Sequence, residues 1–351
     1  MTHWKEILQD SLTKPADLAR HFDFDYTVSD DACASFPMRI NRYYFQLIKE
    51  VDDPIWKQTV PNKLELEDKI CIPDPLGEET LSPVPGIVHK YPDRVLLFVA
   101  SKCAMYCRFC TRKRMVGSDA MCVTEQSIET GIDYIRRNST IREVLLSGGD
   151  PLLLSDTILD SILGRLHAIP HLEVIRIGSR IPCTLPMRIT ENLANVLGKY
   201  HPLYINTHFN HPRELTKEAA KACERLADTG IPLGCQTVLL KGINDNVQIL
   251  RKLFTGLLKI RVKPYYLFQG DLSLGTNHFR THSSCGINIM KQLIGTISGM
   301  AVPTLALDAP GGKGKIPLTP DYIISSGKEL VFRNYQGEIC SYPENGSPAF
   351  K

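Results

Sequence analysis

Short apolar runs alternate with longer amphipathic segments from about residue 94 onward. Most of the runs are rich in Val, Ile, Leu and Tyr and short enough for buried strands. They cover 95–100, 143–147, 173–178, 203–207, 233–240 and 262–268. The intervening segments predict helices near 124–137, 155–167, 190–200, 215–229, 246–258 and 283–298, with Thr190 and Thr216 as two of the helix starts.

Six alternations of strand and helix indicate a parallel α/β domain. Because six units are fewer than the eight of a complete barrel, a partial barrel and an open sheet are both compatible with the pattern. We assign residues 1–88 to an N-terminal helical region and extended arm, 89–301 to the core, and 302–351 to a C-terminal segment. In such folds, catalytic and ligand-binding residues usually lie where strands end and loops begin.

Composition and charge narrow the class of protein. Apolar residues make up 43% of the 351 residues and charged residues 23%, as in an ordinary globular protein. A net charge of +3 argues against a nucleic-acid binder. No apolar run approaches the ~20 residues that span a bilayer, and the first residues lack a signal-peptide core. We therefore expect a cytoplasmic protein without a membrane partner, in which eleven cysteines favour metal sites or reactive thiols over disulfides.

Three cysteines follow the first apolar run directly. Cys103, Cys107 and Cys110 have the spacing Cys-x3-Cys-x2-Cys. A [4Fe–4S] cluster normally takes four thiolates, so three leave one iron open, and an open coordination position is typical of catalytic metal sites. The alternative is a zinc site completed by a distant residue. Structural zinc sites usually take paired ligands from two segments, and we find no second pair.

Two glycine-rich segments are further candidates for ligand binding. Gly148, Gly149 and Asp150 follow the second run, where paired glycines allow close approach to a ligand or form a plain tight turn. Lys315 ends a segment that also contains Lys313 and three glycines. A lysine amine can form a Schiff base with pyridoxal phosphate (PLP). A surface basic loop or a generic phosphate loop fits the composition equally well, but the Walker pattern is not met.

These motifs resemble those of a known family. The cysteine motif, with Phe109 before the last cysteine, resembles the signature of the radical S-adenosylmethionine (SAM) superfamily. The lysine loop resembles the PLP loop of its lysine 2,3-aminomutase family. The similarity extends over roughly residues 40 to 340 and includes the segments 110–114, 206–212, 264–266, 271–273 and 278–280. It implies a partial (β/α)6 TIM-type barrel, a [4Fe–4S] cluster, SAM cleaved to a 5′-deoxyadenosyl radical, and PLP.

The resemblance also implies how the substrate is held. Lys315 matches the Schiff-base lysine, whereas Lys313 stands where the family usually has glycine. Arg112 matches the arginine that binds the substrate carboxylate, and guanidinium suits a two-point contact of this kind. Asp271 and Asp308 match two aspartates that clamp the ε-ammonium of lysine. Because two carboxylates would repel a glutamate side chain, they favour lysine over glutamate as the substrate.

Further positions match the family more loosely. They fall into two groups by the cofactor that each would contact. Those expected to contact SAM are Gly148, Gly149, Asp150, His208 and Gln236, and those expected to hold PLP are Tyr91, Arg94 and Arg180.

The function expected from the sequence is an isomerase, an L-lysine 2,3-aminomutase that interconverts α-lysine and β-lysine. One alternative is a related aminomutase that supplies β-lysine for modification of a translation factor, or that acts on another amino acid such as glutamate. A different-class alternative is a non-catalytic iron–sulfur or zinc protein. We expect an electron donor such as flavodoxin or ferredoxin and a homo-oligomer. Better-studied members of the family carry extra C-terminal cysteines that bind structural zinc. Because only Cys340 lies near the end of this sequence, the comparison with the family implies no structural zinc.

Overall fold

One large sheet organises the molecule. The computed structural model describes residues 3–344. Nine strands form this sheet in chain order, and three form a small second sheet. The strands are β1 Ile87–Tyr91, β2 Arg94–Ala100, β3 Glu143–Gly148, β4 Val174–Gly178, β5 Leu203–Thr207, β6 Leu233–Leu239, β7 Lys263–Gln269, β8 Thr304–Asp308, β9 Lys315–Pro317, β10 Ile323–Ser325, β11 Glu329–Arg333 and β12 Ile339–Pro343.

Strands β2 to β8 run parallel to one another, while β1 and β9 are antiparallel additions at the two edges. A buried row crosses four strands in register, in which Val144 lies between Val95 and Ile175, and Ile175 pairs with Leu203. Parallel strands in chain order, joined by helices, are typical of a TIM-type barrel. Within the described chain the edge strands do not pair with each other, so the barrel is partial and the predicted fold class is confirmed.

Within the described residues, five α-helices precede β1 along the chain and seven connect the parallel strands. They are α1 His3–Gln9, α2 Pro15–Leu18, α3 Thr27–Ser35, α4 Arg42–Phe45, α5 Trp56–Thr59, α6 Glu125–Arg137, α7 Asp156–His167, α8 Ile181–Thr184, α9 Glu191–Leu197, α10 Lys217–Asp228, α11 Val247–Lys259 and α12 Ser283–Leu293. Both predicted helix starts are confirmed. The Thr190 hydroxyl accepts a hydrogen bond from the Leu193 amide at 3.1 Å, and Thr216 accepts one from Ala219 at 3.0 Å. Each hydroxyl caps an amide that has no partner within its helix.

The two faces of the parallel strands have different environments. In β2, Val95, Leu97 and Val99 are buried, and a Cβ on Gly131 of α6 would meet Leu97, so this face packs against helices. The alternate residues Arg94 and Leu96 are less buried and line an interior cavity. Since side chains alternate along a strand, each strand contributes to the core and to the cavity.

The structure differs from the sequence prediction at the end of the core. A seventh parallel strand, β8, and the antiparallel β9 belong to the central sheet, although the predicted boundary placed both in the C-terminal segment 302–351. The parallel part of the sheet thus contains one strand beyond the six predicted units. β8 is only five residues long, and its second and third residues are the fully buried pair Leu305 and Ala306, so the apolar run is very short. Residues 1–2 and 345–351, at the outer ends of the predicted terminal regions, lie outside the described residues.

No helix within residues 3–344 is long and apolar enough to cross a membrane.

Candidate active site

A cavity of about 620 Å³ opens inside the partial barrel. Every residue singled out as a site candidate contributes to its lining. These residues are Tyr91, Arg94, Cys103, Cys107, Cys110, Arg112, Gly148, Gly149, Asp150, Arg180, His208, Gln236, Asp271, Asp308 and Lys315. Their roles stay predictions, but the fold brings them into one space from the nine strands of the central sheet and the loops that follow them.

The three cysteines lie on the irregular loop that follows β2. These cysteines are half-buried in the cavity wall, and burial raises the pKa of Cys103 and that of Cys110, the latter to about 11. By residue type, three thiols on one short loop form a donor set that suits iron–sulfur chemistry. Within the described residues, however, neither these three nor any other three His, Cys, Asp or Glu side chains are already arranged to hold a metal ion.

A buried carboxylate from the N-terminal region holds the cysteine loop. Glu65 accepts hydrogen bonds from Arg108 Nε at 2.9 Å and Arg108 Nη2 at 2.5 Å, and it pairs with Lys113 Nζ at 2.8 Å. Arg108 lies between two of the cysteines, and Lys113 follows the third. Burial alone would raise the pKa of Glu65, but Arg108 and Lys113 hold it below its usual value. Glu65 could not be predicted from the sequence, because its partners lie more than 40 residues away along the chain.

Gly148 and Gly149 allow the end of β3 to lie against the start of the cysteine loop. A Cβ on Gly148 would lie 2.2 Å from the carbonyl oxygen of Ala100, and one on Gly149 would lie 2.4 Å from that of Lys102. Gly148 also has a φ of +136°. The chain itself therefore requires glycine at both positions, and contact with SAM stays a prediction for them.

Asp150 joins the ends of two neighbouring strands. Its carboxylate accepts hydrogen bonds from Ser179 Oγ at 2.6 Å and the Arg180 amide at 2.7 Å, just beyond β4. A third comes from the Leu152 amide at 3.1 Å. Burial raises the pKa of Asp150 to about 6 in spite of these bonds. Both carboxylate oxygens are thus engaged within the protein.

Lys315 and Asp308 are neighbours because the chain turns back on itself after β8. β9 pairs antiparallel with β8, and in this register Lys315 lies opposite Asp308. Lys315 Nζ is 3.0 Å from Asp308 Oδ2, and Lys90 Nζ is 3.1 Å from Oδ1. Lys313 is exposed and does not line the cavity. Lys90, which was not predicted from the sequence, contacts Asp308 from β1.

Asp271 is the second acidic group near this position. Burial, together with the neighbouring Asp308 carboxylate, raises the pKa of Asp271 to about 7. Two carboxylates that share a buried site disfavour double ionisation, and a cation placed between them relieves the repulsion. The arrangement therefore suits an ammonium group.

Arg112 extends into the cavity from the segment after the cysteines. Its Nε donates to Glu78 Oε2 at 2.9 Å, its Nη2 donates to Glu78 Oε1 at 2.6 Å, and its Nη1 donates to Ser147 Oγ at 3.2 Å. The guanidinium also lies over the Phe98 ring, 4.8 Å from its centroid. Burial acts to lower the pKa of Arg112, but Glu78 outweighs it and the pKa is raised. Glu78 was not among the residues that sequence analysis singled out.

The three residues predicted to hold PLP occupy two different places. Arg94 stacks over Tyr91 with its guanidinium carbon 4.1 Å from the ring centroid, at the Lys90 side of the cavity. Arg180 lies instead beside the cysteines, where its Nη1 donates to Cys107 Sγ at 2.8 Å. Its Nη2 is held by Glu214 at 2.7 Å. Because the Arg180 guanidinium is engaged there, its surroundings do not favour the predicted contact with PLP.

His208, directly after β5, and Gln236, on β6, line the cavity. His208 Nε2 is 2.9 Å from Asn210 Oδ1, and its ring lies 5.4 Å from that of Phe109. Burial, reinforced by the charge of Arg180, lowers the pKa of His208 to about 3. The imidazole is therefore neutral at physiological pH and offers hydrogen bonds without charge.

Comparison with known proteins places these residues in a family context. The family model described as "Radical SAM superfamily" matches residues 97–253, and the one described as "Lysine-2,3-aminomutase" matches residues 290–348. The L-lysine 2,3-aminomutase of Methanococcus maripaludis is 54% identical over 88% of this chain and 72% of its own length. That of Clostridium subterminale is 52% identical over 88% of this chain and 76% of its own length.

A relative with a different substrate is similar as well. The glutamate 2,3-aminomutase of Clostridioides difficile is 48% identical over 87% of this chain and 73% of its own length. Membership of the radical SAM superfamily implies a [4Fe–4S] cluster and SAM. The resemblance stated from the motifs is confirmed: the chain belongs to the lysine 2,3-aminomutase family of radical SAM isomerases.

Proposed function

We propose that this protein is an L-lysine 2,3-aminomutase that uses a [4Fe–4S] cluster, SAM and PLP. The observation that carries the proposal is a single cavity lined by both the cysteine loop and Lys315, with Arg112 and two aspartates beside them. An amino acid bound there would have Arg112 near its carboxylate, the coenzyme near its α-amine and the two aspartates near a side-chain ammonium. Neither the cysteine motif nor the lysine loop alone would specify this chemistry.

In this proposal, Cys103, Cys107 and Cys110 hold the cluster and leave one iron free for SAM. When bound, the cluster and SAM supply a 5′-deoxyadenosyl radical, and PLP supplies an aldehyde and a ring that delocalises an unpaired electron. Gly148, Gly149, His208 and Gln236 line the same cavity and are the residues proposed to contact SAM. The neutral His208 imidazole can do so without opposing the positive sulfonium.

The ε-amine of Lys315 is proposed to anchor PLP. Lys90, Tyr91 and Arg94 supply cationic and hydroxyl donors at the same side of the cavity, which suits a phosphate group. Asp308 pairs with both Lys315 and Lys90 in this structure. With Lys315 engaged in holding the coenzyme, the Asp308 carboxylate would have room for the ammonium group of the substrate.

The charges in the cavity match those of lysine. Arg112 is proposed to bind the α-carboxylate, and Asp271 and Asp308 the ε-ammonium. Bringing an ammonium out of water requires compensating charge, which these carboxylates provide. A glutamate side chain would instead meet two acids at that position. The barrel wall and the loops position the substrate and keep water away from the reacting carbons.

An anaerobic assay tests the substrate assignment. Protein reconstituted with iron and sulfide would be incubated with SAM, PLP, dithionite and either L-lysine or L-glutamate, and the products identified by NMR. We expect β-lysine from L-lysine and no product from L-glutamate. The opposite result would assign the chain to the glutamate branch.

The cluster assignment is tested separately. Cys107→Ala should abolish reductive cleavage of SAM, whereas Cys122→Ala, at an exposed cysteine, should retain it. Cleavage retained by the first variant would refute the assignment. An electron donor such as flavodoxin or ferredoxin, a homo-oligomeric state and a cytoplasmic location are further parts of the proposal.

A further inference from the structure

The guanidinium of Arg180 lies against a cysteine of the candidate cluster site. Its Nη1 donates to Cys107 Sγ at 2.8 Å, and the Arg180 side chain is only 8% exposed. Hydrogen bonds to the sulfur ligands and nearby charge are among the factors that set the reduction potential of an iron–sulfur cluster. Arg180 offers both to a single sulfur.

Three further groups fix the orientation of this guanidinium. Nη2 donates to Glu214 Oε1 at 2.7 Å and Gln58 Oε1 at 2.7 Å, and it lies 3.3 Å from the Tyr44 hydroxyl. Gln58 and Tyr44 come from the N-terminal helices α5 and α4, and Glu214 comes from the segment after β5. With Nη2 held in this way, Nη1 is directed at Cys107.

Glu214 forms the ion pair with Arg180. Its side chain is fully buried, and Oε2 accepts hydrogen bonds from the amides of Asn210 at 2.6 Å and His211 at 2.7 Å. Oε1 accepts from the Tyr44 hydroxyl as well as from Arg180. These hydrogen bonds hold the carboxylate in one orientation. Arg180 and Glu214 form a fixed dipole whose positive end points at Cys107.

We propose that Arg180 is a positioning residue that sets the reduction potential of the cluster through Cys107, with Glu214 moderating its effect. The inference rests on the proposed cluster at the three cysteines. Reduction adds one electron, from a low-potential one-electron reductant, and breaks or forms no covalent bond to Arg180. The cation stabilises the more negative, reduced cluster, and a low local dielectric strengthens the effect. The Glu214 carboxylate opposes it from a greater distance.

Two substitutions should shift the potential in opposite directions. Arg180→Gln removes the positive charge and should lower the midpoint potential, while Glu214→Gln removes the negative charge and should raise it. A tenfold change in the reduction equilibrium corresponds to about 59 mV for one electron, and we expect the Arg180→Gln shift to reach at least this size. If Arg180 and Glu214 only supported the local structure, the two substitutions would not shift the midpoint potential in opposite directions.

The measurement is a dithionite redox titration of reconstituted protein, followed by the EPR signal of the reduced cluster. Arg188→Lys is the matched control, since Arg188 is also buried but pairs with Asp156 and does not line the cavity. The midpoint potential of the cluster in the Arg188→Lys variant should equal that in the unmodified protein. Arg180→Lys keeps the charge but not the forked geometry. Its midpoint potential should lie between those of the unmodified protein and Arg180→Gln.

The outcomes separate this inference from the proposed function. If the unmodified protein does not take up about four irons per chain, the cluster proposal itself fails. If all proteins hold a full cluster and Arg180→Gln leaves the potential unchanged, or if both charge substitutions shift it in the same direction, the role of Arg180 is overturned while the cluster assignment stands.

Discussion

Arg112 and Glu78 form a two-point ion pair in the wall of the cavity, with Nε and Nη2 of the guanidinium directed at the two oxygens of one carboxylate. The group proposed to bind the substrate carboxylate is thus already neutralised by a carboxylate of the protein. The pair holds Arg112 in place, but it also reduces the charge that an incoming anion experiences.

Glu78→Gln should therefore strengthen substrate binding. The amide keeps a hydrogen bond to Arg112 but removes the competing negative charge, so the KM for L-lysine should fall by about threefold to tenfold, or up to ~1.4 kcal/mol. Steady-state kinetics would measure this change. The control is Glu79→Gln, because Glu79 is exposed and pairs with Arg114 instead. A large rise in KM for Glu78→Gln would show that positioning outweighs charge.

Lys315→Ala should abolish both the visible absorbance of bound PLP and aminomutase activity, because it removes the amine proposed to anchor the coenzyme. Lys313→Ala is the matched variant from the same loop. Lys313 is exposed, so its loss should change activity by no more than about twofold. Retention of the absorbance in Lys315→Ala, with its loss in Lys313→Ala, would assign the anchor to Lys313.

Substrate affinity should depend on pH through Asp271. Because the pKa of Asp271 is raised to about 7, the carboxyl is protonated below that pH and ionised above it. An ammonium ligand favours the ionised form, so kcat/KM for L-lysine should fall as pH decreases below 7, by at most about tenfold per pH unit. Asp271→Asn should have a lower kcat/KM and should lack this dependence. An unchanged pH profile in that variant would contradict the assignment.

Glu65→Ala should destabilise the protein strongly. It leaves the buried cations of Arg108 and Lys113 without their counter-charge, and removing one partner of a buried ion pair costs about 3–5 kcal/mol. Chemical denaturation of the unreconstituted protein would measure the loss. Glu173→Ala, which breaks an exposed pair with Arg142, should leave the midpoint of unfolding unchanged. Equal effects of the two substitutions would mean that Glu65 does not hold the loop.

The local parts of the fold could be predicted from the sequence. Strand β3 and helix α10 follow from apolar periodicity and from a capping threonine, which act over a few residues. The cysteine triad could be found for the same reason, since all three ligands lie within eight residues of chain. Lys315 required the resemblance to a family, because its glycine loop alone fitted several functions.

Other features depend on contacts between distant segments. Sequence periodicity did not reveal that Glu143 and Arg176 form an ion pair at 2.6 Å inside the barrel, where apolar residues would be expected. Nor did it indicate that Glu78 meets Arg112, or that Arg180 turns towards Cys107. Each pairing arises from strands and loops that meet only after the chain has folded.

The contact of Glu65 with the cysteine loop has a consequence for how the protein can be divided. A fragment that begins at β1 would contain every cysteine of the triad and every strand of the barrel. Because the fragment would lack Glu65, Arg108 and Lys113 would be buried without a counter-charge. The segment that carries Glu65 therefore supports the proposed cluster site, and we expect a shortened protein to lose iron before it loses its sheet.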